Sequence, residues 1–236
     1  MNDDIESTVE PIGLLGGSFD PIHVGHLQLA RDALANLPIG TLQLIPAAQP
    51  WQKEPLTPTE HRVRMLELAI GDELPYTRRR LKLDLSEIER GGPTYTIDTL
   101  RAARSALGAK VPLVLIMGSD QFERLESWRE WERLTDLAHI AVARRGFDTM
   151  TLSPALQKLK SARYLKYAAD MVDEPAGHIV DLAMTPVDVS ATEVRRLLAT
   201  PESAGSAARL ATLVPPPVLA YIRQHQLYAE PHGPKY

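Results

Sequence analysis

The chain has 236 residues, 44% of them hydrophobic and 24% charged, with a formal net charge of −4. That length suits one α/β domain with a full buried core, and the acidic balance excludes a duplex nucleic-acid binder, which needs a basic face to displace condensed counterions. There is no cysteine, so disulfides are impossible and any zinc site must draw on His, Asp and Glu.

Residues 1–10 read as a polar, acidic tail without the basic-then-apolar order of a signal peptide, and no apolar run approaches the roughly 20 residues of a membrane span. A cytoplasmic protein without membrane contact is the expectation. Ile12 to Leu15 is short and apolar, stops at Gly16-Gly17, and reads as a buried strand. From His23 onward Leu27, Ala30, Leu34 and Leu37 recur at helical spacing until Pro38 and Gly40. Thr41 to Pro46 makes a second strand. Thr57-Pro58-Thr59-Glu60 has the pattern of a capping box, and the helix it opens carries Val63, Leu66 and Ile70 on one face. Leu81, Leu83 and Leu85 alternate with polar residues as in a strand with one wet face.

Tyr95 to Leu107 reads as a helix ended by Gly108, and Val111 to Met117 as a strand buried on both faces. Ile140 to Ala143 and Ile179 to Met184 add two strands. Residues 150 to 176 give little periodicity. Helices near Thr192 to Leu198 and Pro217 to Gln226 close the chain. Strands and helices alternate, which predicts an α/β doubly wound, Rossmann-like parallel sheet with a small C-terminal helical part. The expected division is one domain over residues 11–228, between the tails 1–10 and 229–236.

The stretch Gly16-Gly17-Ser18-Phe19-Asp20-Pro21-Ile22-His23-Val24-Gly25-His26 follows the first strand and opens the first helix. Ligands of open α/β sheets bind beyond the carboxyl ends of strands, beside helix N-termini whose free N–H groups favour anions. Paired glycines let a phosphate approach the main chain. His23 and His26, three residues apart, share one face of the first helical turn. A tight turn with two surface histidines, or a zinc pair, are the competing readings of His-x-Gly-His alone. The full string, however, arises by chance in on the order of one chain in a billion. A second motif, Val189-Ser190-Ala191-Thr192-Glu193-Val194-Arg195, combines a hydroxyl cap with a helix carrying an arginine, groups suited to pyrophosphate oxygens. It is expected at the far end of the same sheet.

The first string resembles that of the HxGH nucleotidyltransferase superfamily, and the second resembles its (I/V)S(S/A)TxxR signature. Pro93-Thr94-Tyr95-Thr96 with Thr99-Leu100, Ile116-Met117-Gly118-Ser119-Asp120 followed by Trp128, and Pro215 to Tyr228 are similar to segments of bacterial nicotinate-mononucleotide adenylyltransferases. With these the likeness spans Ile12 to Tyr228. It implies transfer of AMP from ATP to nicotinate mononucleotide, giving deamido-NAD and pyrophosphate. It further implies catalytic roles for His23, His26 and Arg195, and ATP phosphate contacts at Gly16, Gly17, Ser18, Phe19, Ser190 and Thr192. Lys53, Thr96, Gly118, Asp120 and Trp128 would contact the mononucleotide, and Mg²⁺ would accompany ATP without protein ligands of its own. The chain departs from the family at Pro50-Trp51-Gln52-Lys53, where Gln52 replaces a histidine and leaves Lys53 as the only cation. A transferase with another phosphate acceptor, or a module that senses nucleotides without turnover, are the alternatives.

Overall fold

A computed structural model describes residues 10–50, 56–145, 149–200 and 204–229. The expected tails therefore fall outside the described residues except for Glu10 and Ala229. In chain order, β1 (Ile12–Gly17) leads into α1 (Val24–Asn36), β2 (Thr41–Pro46) and the two-residue β3 (Gln49–Pro50). Next come α2 (Thr59–Asp72), α3 (Pro75–Arg80), β4 (Leu81–Leu83), α4 (Ser86–Arg90), β5 (Pro93–Thr94) and α5 (Thr96–Leu107). The second half holds β6 (Leu113–Gly118), the short α6 (Ser119–Phe122) and α7 (Leu134–Leu137), β7 (His139–Arg145), α8 (Pro154–Arg163) and β8 (Ile179–Met184). Three helices close it, α9 (Ala191–Ala199), α10 (Ala204–Leu213) and α11 (Pro216–Gln224).

The six long-paired strands form one sheet in the order β4-β2-β1-β6-β7-β8, and every neighbouring pair is parallel. Counted along the chain this is the order 3-2-1-4-5-6, the doubly wound arrangement that the alternation of elements predicts. The order reverses between β1 and β6, so the crevice for ligands opens at the carboxyl ends of those two strands. Alternation within each strand divides the core. Leu15, Val114 and Ile116 face α1, α2 and the C-terminal helices. Leu14, Leu113, Leu115 and Met117 face α5, α7 and α8. Among the described residues no helix is long and apolar enough to cross a membrane.

Two local expectations are corrected. α2 starts at Thr59 with Pro58 as its cap residue and no side-chain cap bond, so Thr57 caps nothing. Thr57 is instead buried, with its N–H donating to Asp20 Oδ2 at 3.3 Å. The strand expected to reach Leu85 ends at Leu83, because the Asp84 carboxylate accepts the Ser86 N–H at 2.8 Å and turns the chain into α4.

Candidate active site

At the end of β1 the chain turns sharply. Phe19 adopts φ +46°, a left-handed conformation costly for a bulky side chain, and buries its ring with 1% exposure. The Asp20–Pro21 peptide is cis. His23, buried, is the N-cap of α1 in an extended conformation. Its backbone N–H donates to His26 Nδ1 at 3.3 Å. A ring nitrogen that accepts carries no proton, so neutral His26 holds its proton on Nε2 and presents a donor there. The two imidazoles stack with centroids 3.7 Å apart and planes 22° from parallel. Phe19 meets His26 edge-on at 5.1 Å. One turn of helix thus presents main-chain N–H groups, the positive dipole end and two rings together.

The second motif does not stay at the far edge of the sheet. After β8, Thr185 is tied to α1 by its N–H and hydroxyl, 2.7 and 3.2 Å from the Asp32 carboxylate. The loop then crosses α1 at Gly25, where a Cβ would stand 2.7 Å from Val189 Cγ1. Only glycine permits that approach. Ser190 caps α9, its Oγ accepting the Glu193 N–H at 3.1 Å. Arg195 Nη1 donates to the Asp20 carbonyl at 2.6 Å, and its Nη2 reaches Thr192 Oγ1 at 3.4 Å. The N-termini of α1 and α9 therefore face the same turn after β1.

Three residues that sequence reasoning left out of the site hold this turn. Arg62 is 1% exposed and donates to the carbonyls of Thr57 (3.0 Å), Ser18 (2.9 Å) and Ala48 (3.4 Å) and to Thr59 Oγ1 (3.1 Å). Burial lowers its pKa from the ordinary guanidinium value, while the Asp20 carboxylate opposes that loss. Asp20 is buried and accepts the Tyr228 hydroxyl at 2.5 Å. Burial first, and then the negative charge of Asp20, push the Tyr228 phenol far above its usual value, so it remains a donor. The signal for Arg62 was present. Arg62, Met65, Leu66 and Ala69 form the buried face of α2, at helical spacing, and a charge on an apolar face needs partners.

A pocket of about 170 Å³ opens beside the turn. Its lining includes Gly16, Gly17 and Ser18 of the turn, Tyr95, Thr96 and Trp128, and Leu14 and Leu115 of the sheet. A Cβ on Gly16 would meet nothing within 4 Å, so its main chain borders open space. Thr96 opens α5, whose next N–H groups, from Asp98 and Thr99, donate to the Tyr95 carbonyl at 3.0 and 3.2 Å. Thr96 and Ile97 are left with main-chain donors that have no intrahelical acceptor. Trp128 offers its ring, since its main-chain N–H already donates to the Leu125 carbonyl at 2.9 Å. Glu87 also lines the pocket, buried, with the Thr99 hydroxyl 2.5 Å from its carboxylate. Burial pushes its pKa up to about 7. Gly118 and Asp120 stand at the carboxyl end of β6, next to the pocket but outside its lining. Lys53 lies outside the described residues. Among the described residues no three His, Asp or Glu side chains converge as a metal cage.

A 3-2-1-4-5-6 sheet with a glycine turn, two stacked histidines and a second helix terminus at its switch point defines a nucleotidyltransferase. The cytidylyltransferase-like family model matches residues 14–197. A Dechloromonas aromatica protein named "Probable nicotinate-nucleotide adenylyltransferase" is 40% identical, with 93% of this chain and 98% of the relative covered. A Pseudomonas putida protein of the same name is 40% identical over 95% and 97%. Among solved structures, Plasmodium falciparum nicotinic acid mononucleotide adenylyltransferase complexed with NaAD superposes with a TM-score of 0.70 at 20% identity, covering 93% of this chain and 97% of its own, a likeness of fold. The chain belongs to the nicotinate-nucleotide adenylyltransferases of the cytidylyltransferase-like family.

Proposed function

We propose that residues 11–228 act as one catalytic domain that transfers AMP from ATP to nicotinate mononucleotide, as the names of its relatives imply. The observation that carries this reading is the shared lining. Gly16 to Ser18 border both the double helix terminus and the pocket of Thr96 and Trp128, so a triphosphate and a pyridine mononucleotide would meet there.

The acceptor phosphate is anionic at neutral pH and needs no base. One of its oxygens attacks the α-phosphorus of ATP in line, the bond from that phosphorus to the β-phosphate oxygen breaks, and pyrophosphate departs with the electron pair. Rate then derives from alignment and from charge placed where the transition state gains it. In this reading Gly16, Gly17, Ser18, Phe19, His23 and the Nε2–H of His26 hold the α- and β-phosphates. Ser190, Thr192 and Arg195 take the β- and γ-phosphates. Lys53, Thr96, Gly118, Asp120 and Trp128 receive the mononucleotide. Mg²⁺ would accompany ATP as part of the Mg–ATP substrate and would offset phosphate charge, while the chain's own N–H donors and Arg195 hold the phosphates. Small molecules are the partners, in a cytoplasmic setting without nucleic acid or membrane.

The test follows the label. With α-labelled ATP and nicotinate mononucleotide, radioactivity should pass into a dinucleotide that comigrates with deamido-NAD, while label at the γ-position should appear only in pyrophosphate. Transfer of the γ-label to the acceptor would refute adenylyl transfer.

A further inference from the structure

The charged side chains lining the pocket, among the described residues, are Glu87 and Arg129. They are not equivalent. Glu87 is buried with its carboxyl pushed up to about 7, so at neutral pH a large fraction carries no charge. Arg129 brings a planar guanidinium cation with a fork of N–H donors.

Its surroundings leave that charge incompletely answered. Arg129 belongs to a cluster in which three guanidiniums, Arg101, Arg129 and Arg133, share the carboxylates of Asp98 and Glu130. Glu130 is committed first to Arg101, at 2.6 and 3.1 Å. Arg129 stands 3.7 Å from Asp98 and 3.9 Å from Glu130, too far for the short paired bonds that a carboxylate and guanidinium form. Its half-exposed guanidinium lies 5.0 Å from the centre of the Tyr95 ring, and both residues line the pocket. The same lining holds Thr96, with its open main-chain donor, and Trp128, with its ring.

We propose that Arg129 is a specificity-determining residue that pairs with the carboxylate of an acidic pyridine ring held between Thr96 and Trp128. This inference rests on the reading of the pocket as the acceptor site. A ring acid offers Arg129 a full negative charge and two oxygens, matching a guanidinium fork. A ring amide offers one neutral oxygen and an NH₂ group that the cation repels.

Steady-state kinetics with nicotinate and nicotinamide mononucleotides test it, using wild type, Arg129→Met, which keeps the aliphatic stem, and Arg129→Lys, which keeps the charge. A charge-assisted bond of ordinary strength corresponds to roughly 10- to 100-fold. The expected result is a loss of that size in kcat/KM for the acid in Arg129→Met. The amide should change less than threefold, the KM for ATP should be unaltered, and Arg129→Lys, which keeps the charge but not the fork, should recover part of the loss. An unchanged acid-to-amide ratio in Arg129→Met, or a loss seen in the KM for ATP instead, overturns the role. Absence of activity with the acid in wild type would refute the acceptor reading itself, which separates the two failures.

Discussion

At His26 one backbone contact decides what the side chain offers. With Nδ1 accepting from the His23 N–H, the Nε2 proton is fixed as a donor toward charge that develops on phosphate. Removing one such donor elsewhere costs about 2.7–4 kcal/mol of barrier, a factor of roughly 10²–10³. His26→Ala should lose that much in kcat at saturating substrates, with the far-UV spectrum unchanged. A kcat within threefold of wild type would remove His26 from the mechanism. Glu87 gives a different kind of test. Its folded value of about 7 lies above the ordinary 4.5. Below pH 4.5 the group is neutral whether folded or unfolded. As pH rises from 4.5 to about 7 the unfolded chain ionises while the fold retains its proton. Stability is therefore lost across that window and levels off above it. The rise corresponds to about 3 kcal/mol. Urea unfolding at pH 4.5 and pH 8 should show Glu87→Gln gaining about that much on wild type at the higher pH. Parallel profiles for the two proteins would mean that Glu87 is ionised in the fold.

Two helix termini make the site, and their junction has no spare volume. α9 can reach the phosphate turn because Val189 rests on the face of α1 that Gly25 leaves open. Gly25→Ala would place a methyl group 2.7 Å from Val189 Cγ1, and overpacking of this kind costs about 1–3 kcal/mol. The displaced α9 carries Arg195 away from the Asp20 carbonyl, so kcat should fall at least tenfold. Val189→Ala in the same chain relieves that contact, leaving the 3.1 Å approach to His23 Nδ1, and should restore part of both melting temperature and kcat. Equal losses in the single and double variants would show that the two motifs do not meet at this contact. Much of this was legible in the sequence, because strand, glycine turn and capped helix are adjacent in the chain and each has a local signature. The crossing of α9 over α1 is a contact between residues distant in the chain, and no local spacing announces it. α2 was read on Val63, Leu66 and Ile70, whereas its buried face runs through Arg62, a charge whose partners are carbonyls that a sequence does not display. α8 stayed hidden for a simpler reason. Of its ten residues only Leu156 is buried, so it has no apolar stripe to detect, and only its Ser153 cap marks it.

Across the whole molecule, the sheet order places the turn after β1 and the pocket that Gly16, Gly17 and Ser18 help to line at one switch point, between β1 and β6. The pocket brings together the open N–H group of Thr96, a Glu87 carboxyl pushed up to about 7 and the Arg129 cation. All of these favour an acceptor whose ring carries a carboxylate. A ring amide would set an NH₂ against N–H donors, and each buried donor left unpaired costs about 1–3 kcal/mol. Two such losses give discrimination on the order of 10²–10⁴. The most direct measurement is pyrophosphate release from Mg–ATP by the wild-type protein, with nicotinate mononucleotide, nicotinamide mononucleotide and phosphopantetheine compared as acceptors. The account predicts a kcat/KM for the nicotinate form at least 100-fold above the nicotinamide form, and no turnover with phosphopantetheine. A ratio below ten, or faster release with phosphopantetheine, would contradict it.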